Sequence, residues 1–301
     1  MPSRKAPYER YIVSLNMNKL EGRMLNYPAK NRTNNILLIG DLGTDIGFWW
    51  GLAKSLHDLG NVTMPDLPGI GGMDSFYKIK KVPDIDAYAD YMASFIKMRF
   101  RKRKFITVGV GFGFIVLTRT FQRYPELQKN VKFMVSLGGF ADHEDYILPK
   151  TRYLIYSYLS SVFSRKLFSV LFRRVSLNSM ALSLFYRWQM SGVVSESDLS
   201  ALAYRNTRRF IKGDARTLMA VISELTRFSN CDKQLELPLE HVDVPTRYLD
   251  WSHNEQHLRV IFPEINYLPP GSKINRYPIK RDKRSAAVYL PNDLKSKIRK
   301  A

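Results

Sequence analysis

A chain of 301 residues with 45% hydrophobic content is long enough for one large domain and has the composition of an ordinary folded protein. Its 47 Lys+Arg against 27 Asp+Glu give a net charge of +20, which directs it toward polyanions: nucleic acid, anionic lipid or an acidic partner. The single cysteine, Cys231, excludes an internal disulfide, and the lack of any run near about 18 apolar residues argues against a membrane-spanning helix.

The N-terminal stretch "MPSRKAPYERYIVSLN" has no apolar h-region, so no signal peptide is expected, and the one cysteine suits a cytoplasmic protein. "YIVSLN" and "GRMLNYPA" read as a hairpin. "NNILLIG" is a short apolar run that reads as a buried parallel strand. "GFWWGLAKSLHDLG" has helical spacing and stops at Gly60. "NVTMPDLPGIGG" is a strand broken by Pro68 and glycines. "DIDAYADYMASFIKMRF" is an amphipathic helix, with Asp84 near its start and Lys97 and Arg99 near its end to suit the helix dipole. "FITVGV", "FGFIVLTRTFQRYPEL" and "VKFMVSLGG" continue as strand, helix, strand. Such alternation predicts a doubly wound, mostly parallel α/β sheet with both faces covered.

The rhythm changes after Tyr146, since no Asp or Glu occurs from there to Ser195. This stretch, a helix with a capping box at Ser195 and Asp198, and the helix "DARTLMAVISELTRF" predict a helical insertion over 150–234. "VPTRYLDW" and "INYLPPG" are expected to resume the strands. The chain then divides into a core of 1–149 and 235–275, the insertion, and a basic tail of 276–301. From Ser272 onward there are ten Lys+Arg and two acids, a charge density expected of a disordered segment.

Gly109, Gly111 and Gly113 lie between a strand and a helix with the spacing of a Gly-x-Ser-x-Gly nucleophile elbow. Together with "ILLIGDLGTDIGFWWGLAKSL", "MPDLPGIGGMDSF", "VDVPTRYLDWSHNEQ" and "FPEINYLPPGSKI", in this order, the segment resembles the α/β-hydrolase fold over about residues 35–275. The resemblance implies a core sheet, a lid formed by the insertion, and a serine, acid and histidine in that order. Those three positions fall on Gly111, Asn254 and Ile274 (or its neighbour Lys273), and no histidine lies beyond His257. Glycine cannot attack, and asparagine cannot stabilise an imidazolium as a carboxylate does. Gly111 does suit the strained turn, because glycine accepts such backbone angles.

The resemblance implies oxyanion-hole N–H groups at Phe112 and Asp41, with the qualification that an inward Asp41 carboxylate would repel an oxyanion. It therefore leads to a non-catalytic pseudohydrolase that binds a small apolar or acyl ligand above Gly111, near Gly40, Asp41, Phe112, Asn254 and Ile274, or serves as a scaffold. No cofactor is implied. One alternative is an active ester or lipid hydrolase with its nucleophile elsewhere; another is a basic adaptor for an anionic membrane or nucleic acid.

Other chemistry-bearing residues have plainer readings. Cys231 lacks an elbow and reads as an inert thiol. His253 and His257, spaced i, i+4, are a candidate metal pair without a third ligand, so a helix face is the simpler reading. Asp142, His143, Glu144 and Asp145 lie where some hydrolase-fold relatives carry the acid, but without a nucleophile they read as a solvated loop. The glycines at 69–72 read as a turn, not a phosphate cradle, because no Lys-Ser/Thr follows. Lys97–Lys104 holds six charges in eight residues, and no nucleic-acid recognition module accompanies them. Phe163, Leu167, Phe168, Val170, Leu171 and Val175 share one broad apolar face, flanked by Arg165, Lys166, Arg173 and Arg174. Packing of that face over the pocket is the favoured expectation, with contact to an anionic membrane as the second.

Overall fold

The computed structural model describes residues 6–30, 34–147, 149–175, 180, 213–243, 249–268, 280–282, 285–287 and 290–301. Strand β1 (Ile12–Met17) turns through Asn18 and Lys19 into β2 (Leu20–Tyr27). Both turn residues have positive φ, 55° and 64°, as a two-residue hairpin turn matched to strand twist requires. Strands β3 (Asn35–Ile39), β4 (Asn61–Pro65), β5 (Phe105–Val110), β6 (Val131–Leu137), β7 (Leu239–Val242) and β8 (Ile265–Leu268) complete an eight-stranded sheet in the order β1-β2-β4-β3-β5-β6-β7-β8. The β1–β2 and β2–β4 pairs are antiparallel, and all others are parallel.

Helix α1 (Trp50–His57) lies on one face of the sheet; α2 (Ile85–Arg99) and α3 (Phe112–Arg123) lie on the other. Strand β5 is fully buried and, apart from Thr107, apolar on both sides because both faces of the sheet are covered. Asp84 caps α2 by accepting the Ala87 N–H at 2.6 Å. Helices α4 (Lys150–Phe163), α5 (Lys166–Val175) and α6 (Ala215–Leu225) fall between β6 and β7, which confirms a helical insertion there. The Ser195–Asp198 capping box lies outside the described residues.

Asp66 ties the turn after β4 to the hairpin. Its carboxylate accepts from Arg23 Nε at 2.7 Å, Ile46 N at 3.0 Å and Gly72 N at 2.9 Å. The glycines at 69–72 therefore form a turn whose Gly72 N–H is already taken by a carboxylate.

Three expectations are corrected. The strand expected over "VPTRYLDW" does not reach Trp251; residues 244–248 lie outside the described residues, and the strand that pairs with β6 is β7 at Leu239–Val242. Asp250 then accepts the N–H groups of Ser252 and His253 and starts helix α7 (Trp251–Ile261), which gives Trp251 a helical role. The basic tail is not wholly disordered: helix α8 (Asn292–Lys300) buries Leu294 and Ile298, with Leu290, beside α1 and the sheet. Asn34 Nδ2 bonds Ile298 O at 2.7 Å, and Lys297 pairs with the buried Glu240. Spacing of four puts Leu294 and Ile298 on one helix face, Leu290 joins them from just before the helix, and their burial outweighs the charge of the surrounding lysines and arginines.

The third correction concerns the apolar face of α5, which does not pack over a pocket. Leu167, Phe168, Val170 and Leu171 are exposed, with Leu167 at 83%, whereas Ser169 is buried. Phe163 does contact the ring of Phe172, at a centroid distance of 5.1 Å.

Candidate functional site

The turn between β5 and α3 places Gly111 at φ 48° and ψ −114°. This conformation is open to glycine and costs any side-chain residue strain. The turn is tight. The Gly111 N–H bonds Leu137 O at 3.2 Å, and a Cβ at Gly113 would lie 2.4 Å from Ile39 O. Glycine there lets α3 start directly against β3.

Across the turn stands the loop after β3. Asp41 Oδ1 accepts the Phe112 N–H at 2.8 Å and the Leu42 N–H at 2.8 Å. Thr44 holds the loop shut by donating to Asp41 O and accepting from Trp49 Nε1 at 2.8 Å. The carboxylate thus points inward and fills a two-N–H cradle made by Phe112 at the start of α3 and Leu42 in the loop after β3. Desolvation raises the Asp41 carboxyl above its ordinary range, opposed by the two backbone hydrogen bonds. A Cβ added to Gly111 would lie 2.4 Å from Asp41 Oδ1, so the carboxylate also occupies the space of a nucleophile's side chain.

Gly40, Asp41, Gly111 and Phe112 come together at this turn. Asn254 sits fully buried on α7 and donates from Nδ2 to Gly139 O at 3.1 Å, beyond the end of β6. It joins α7 to the sheet, and its Oδ1 has no partner among the described residues. Lys273 and Ile274 lie outside the described residues. A small cleft is lined by Gly43, Ile70, Asp214 and Leu218, and by none of the predicted pocket residues among the described ones.

The loop after β6 is more than a solvated loop. Asp142 and Asp145 are buried in a capping box, and Asp145 Oδ2 accepts from Ala141 N and Asp142 N at 3.0 Å each. Asp145 Oδ1 lies 2.7 Å from Nδ1 of His257 on α7. Burial pushes the Asp145 carboxyl up, against the pull of His257 and the two amides. Tyr146, beside this loop, is pushed far up by its own burial and by the charges of Asp41 and Asp145. His257 is thus held by a carboxylate, while His253 is exposed. Sequence reasoning missed this pair, whose members are 112 positions apart. Among the described residues no hydrogen bond joins it to Asp41 or Gly111.

A second His–Asp pair, His241 Nε2 to Asp243 Oδ1 at 2.7 Å, is fully buried at the end of β7, with His241 stacked on Tyr267. Burial pushes the Cys231 thiol up to about 11, which disfavours its thiolate. In the basic run, Lys97 pairs with Glu126 at 2.9 Å, and the remainder forms the end of α2 and the turn into β5.

This strand order, with a tight glycine turn after β5 and helices inserted after β6, is the α/β-hydrolase fold, and solved structures share it. A thermophilic esterase from Thermogutta terrifontis, with malate bound, aligns over 96% of this chain and 97% of its own at 13% identity and a TM-score of 0.63. A hydrolase from Pseudomonas aeruginosa aligns over 86% and 90% at 11% identity and a TM-score of 0.62. A membrane phospholipase A, described as a bacterial virulence factor, aligns over 85% and 76% at 20% identity and a TM-score of 0.58. No family model matches the sequence, and no curated protein does.

Proposed function

We propose that this chain is a non-catalytic member of the α/β-hydrolase fold, a binding protein for a small apolar or acyl ligand. One observation carries the reading: Asp41 Oδ1 accepts from both Phe112 N and Leu42 N beside a glycine at the nucleophile position. In a working hydrolase the cradle must receive negative charge that develops on substrate. Here a resident carboxylate satisfies those donors and would repel a second anion. The ligand's carbonyl oxygen therefore does not use the cradle, and its affinity comes from apolar contact.

The test is an assay of the purified chain on short and long acyl esters, with native mass spectrometry for a retained ligand. Absence of turnover together with a bound apolar molecule is the expected result. Turnover of any ester would overturn the reading.

A second reading, an active hydrolase, is favoured by the Asp145–His257 pair. A histidine oriented by a buried carboxylate is the base half of a hydrolytic relay. On this reading His257→Gln abolishes turnover that the natural chain displays; a chain that turns over nothing excludes it.

A further inference from the structure

Helices α4 and α5 carry their side chains in inverted order. The face of α4 turned to the protein carries serines beside the half-buried Tyr153 and Phe163. Ser160 is buried, and Ser157 Oγ lies 3.2 Å from Thr226 Oγ1 just beyond α6. Arg216 Nε on α6 donates to Ser164 O at 3.0 Å, at the end of α4. On α5 the buried position is Ser169. The large apolar side chains face outward: Leu154, Ile155 and Tyr158 on α4, and Leu167, Val170 and Leu171 on α5 are all exposed. Scattered exposed leucines are ordinary, but two consecutive helices that bury serine and expose leucine mark a surface made to be covered.

Charge selects the cover. Arg165, Lys166, Arg173 and Arg174 border this face and are exposed, and no acid occurs from Tyr146 to Ser195. A second copy of a chain with net charge +20 would bring cations against cations. We infer that the α4–α5 face docks on an anionic lipid surface, its leucines entering the interface and its arginines and lysines meeting the headgroups. Among the described residues no helix is long and apolar enough to cross a membrane, so the contact is peripheral. The inference does not rest on the reading of the Gly111 site.

The experiment is flotation of the full chain with vesicles of phosphatidylcholine alone or mixed with phosphatidylglycerol, at low and high salt. Binding to the mixed vesicles is expected, weakened by salt. Replacing Arg165, Lys166, Arg173 and Arg174 with Gln should weaken it roughly a thousandfold. Leu167→Asp with Leu171→Asp should abolish binding and leave the unfolding temperature unchanged. No binding to the mixed vesicles at low salt overturns the proposal, as does binding to a DNA duplex without binding to vesicles. If the Leu167, Leu171 variant self-associates less or unfolds earlier than the natural chain, and neither binds vesicles, the face is covered by protein and the proposal fails.

Discussion

Oδ1 of Asp41 lies 2.8 Å from the backbone nitrogen of Phe112, the first residue of the helix that follows the elbow glycine. The helix N-terminus and the carboxylate satisfy each other. This contact also decides what a serine at position 111 would do. Gly111→Ser alone must adopt the strained backbone and push a Cβ into the carboxylate, so it should lose about 2 kcal/mol or more. Gly111→Ser combined with Asp41→Gly should recover part of that loss, because the obstacle is gone. Thermal unfolding of both single variants and the pair measures the coupling. A Gly111→Ser variant as stable as the natural chain would show that Asp41 does not fill the cradle.

Asp41 also carries a pH signature. Its folded carboxyl is raised above the ordinary value by burial. A raised group favours the fold most below its unfolded value and loses that advantage as pH rises through its folded value. At neutral pH, above its unfolded value, Asp41 therefore costs stability. Asparagine keeps an oxygen for both N–H groups and carries no charge. Asp41→Asn should melt at a higher temperature than the natural chain at neutral pH, and the gap should close as pH falls into the carboxylate range. A variant that is less stable at neutral pH would contradict this account.

Asn254 gives the opposite case, a position where restoring the acid should do harm. Its Nδ2 is the donor for Gly139 O, and the side chain is fully buried. Asn254→Asp replaces that donor with a buried carboxylate facing a carbonyl oxygen. Losing the bond and desolvating the charge should cost about 2–3 kcal/mol at neutral pH. Acid should relieve the loss, since a protonated carboxyl can donate to Gly139 O. Denaturant melts at neutral and acid pH distinguish this from a loss independent of pH, which would mean that Asn254 acts by shape alone.

What could be read from the chain follows from the range of each signal. Strands β3, β5 and β6 announce themselves as apolar runs, and the elbow as three glycines spaced by two, because burial and backbone angle are local demands. The inward turn of Asp41 was legible only as a condition, since a carboxylate's direction depends on which N–H groups the fold brings near. The Asp145–His257 pair had no local signal, because its members meet only after β6 and α7 are assembled. Strand β7 was not anticipated, because "LEHV" is four residues with a buried Glu240 and His241 at its centre, and only pairing to β6 and β8 shows it to be a strand. The tail helix is different: Leu294 and Ile298 carry a helical spacing that the surrounding charge obscured.

That helix supplies the last prediction. Ile298 is fully buried and Leu294 nearly so, in the cluster that covers the α1 face of the sheet. If α8 is part of the core, Ile298→Ala should cost about 2–4 kcal/mol, as for other large-to-alanine changes in a packed interior. The neighbouring Arg299→Ala and Lys300→Ala, both exposed, should cost little. Lys297→Ala should fall between them, because it leaves Glu240 buried without its cation. Chemical denaturation of the four variants tests this ranking. Equal, negligible effects throughout would return the tail to a solvated basic arm, and a loss confined to Ile298 and Lys297 would fix it as the helix that closes the second face of the sheet.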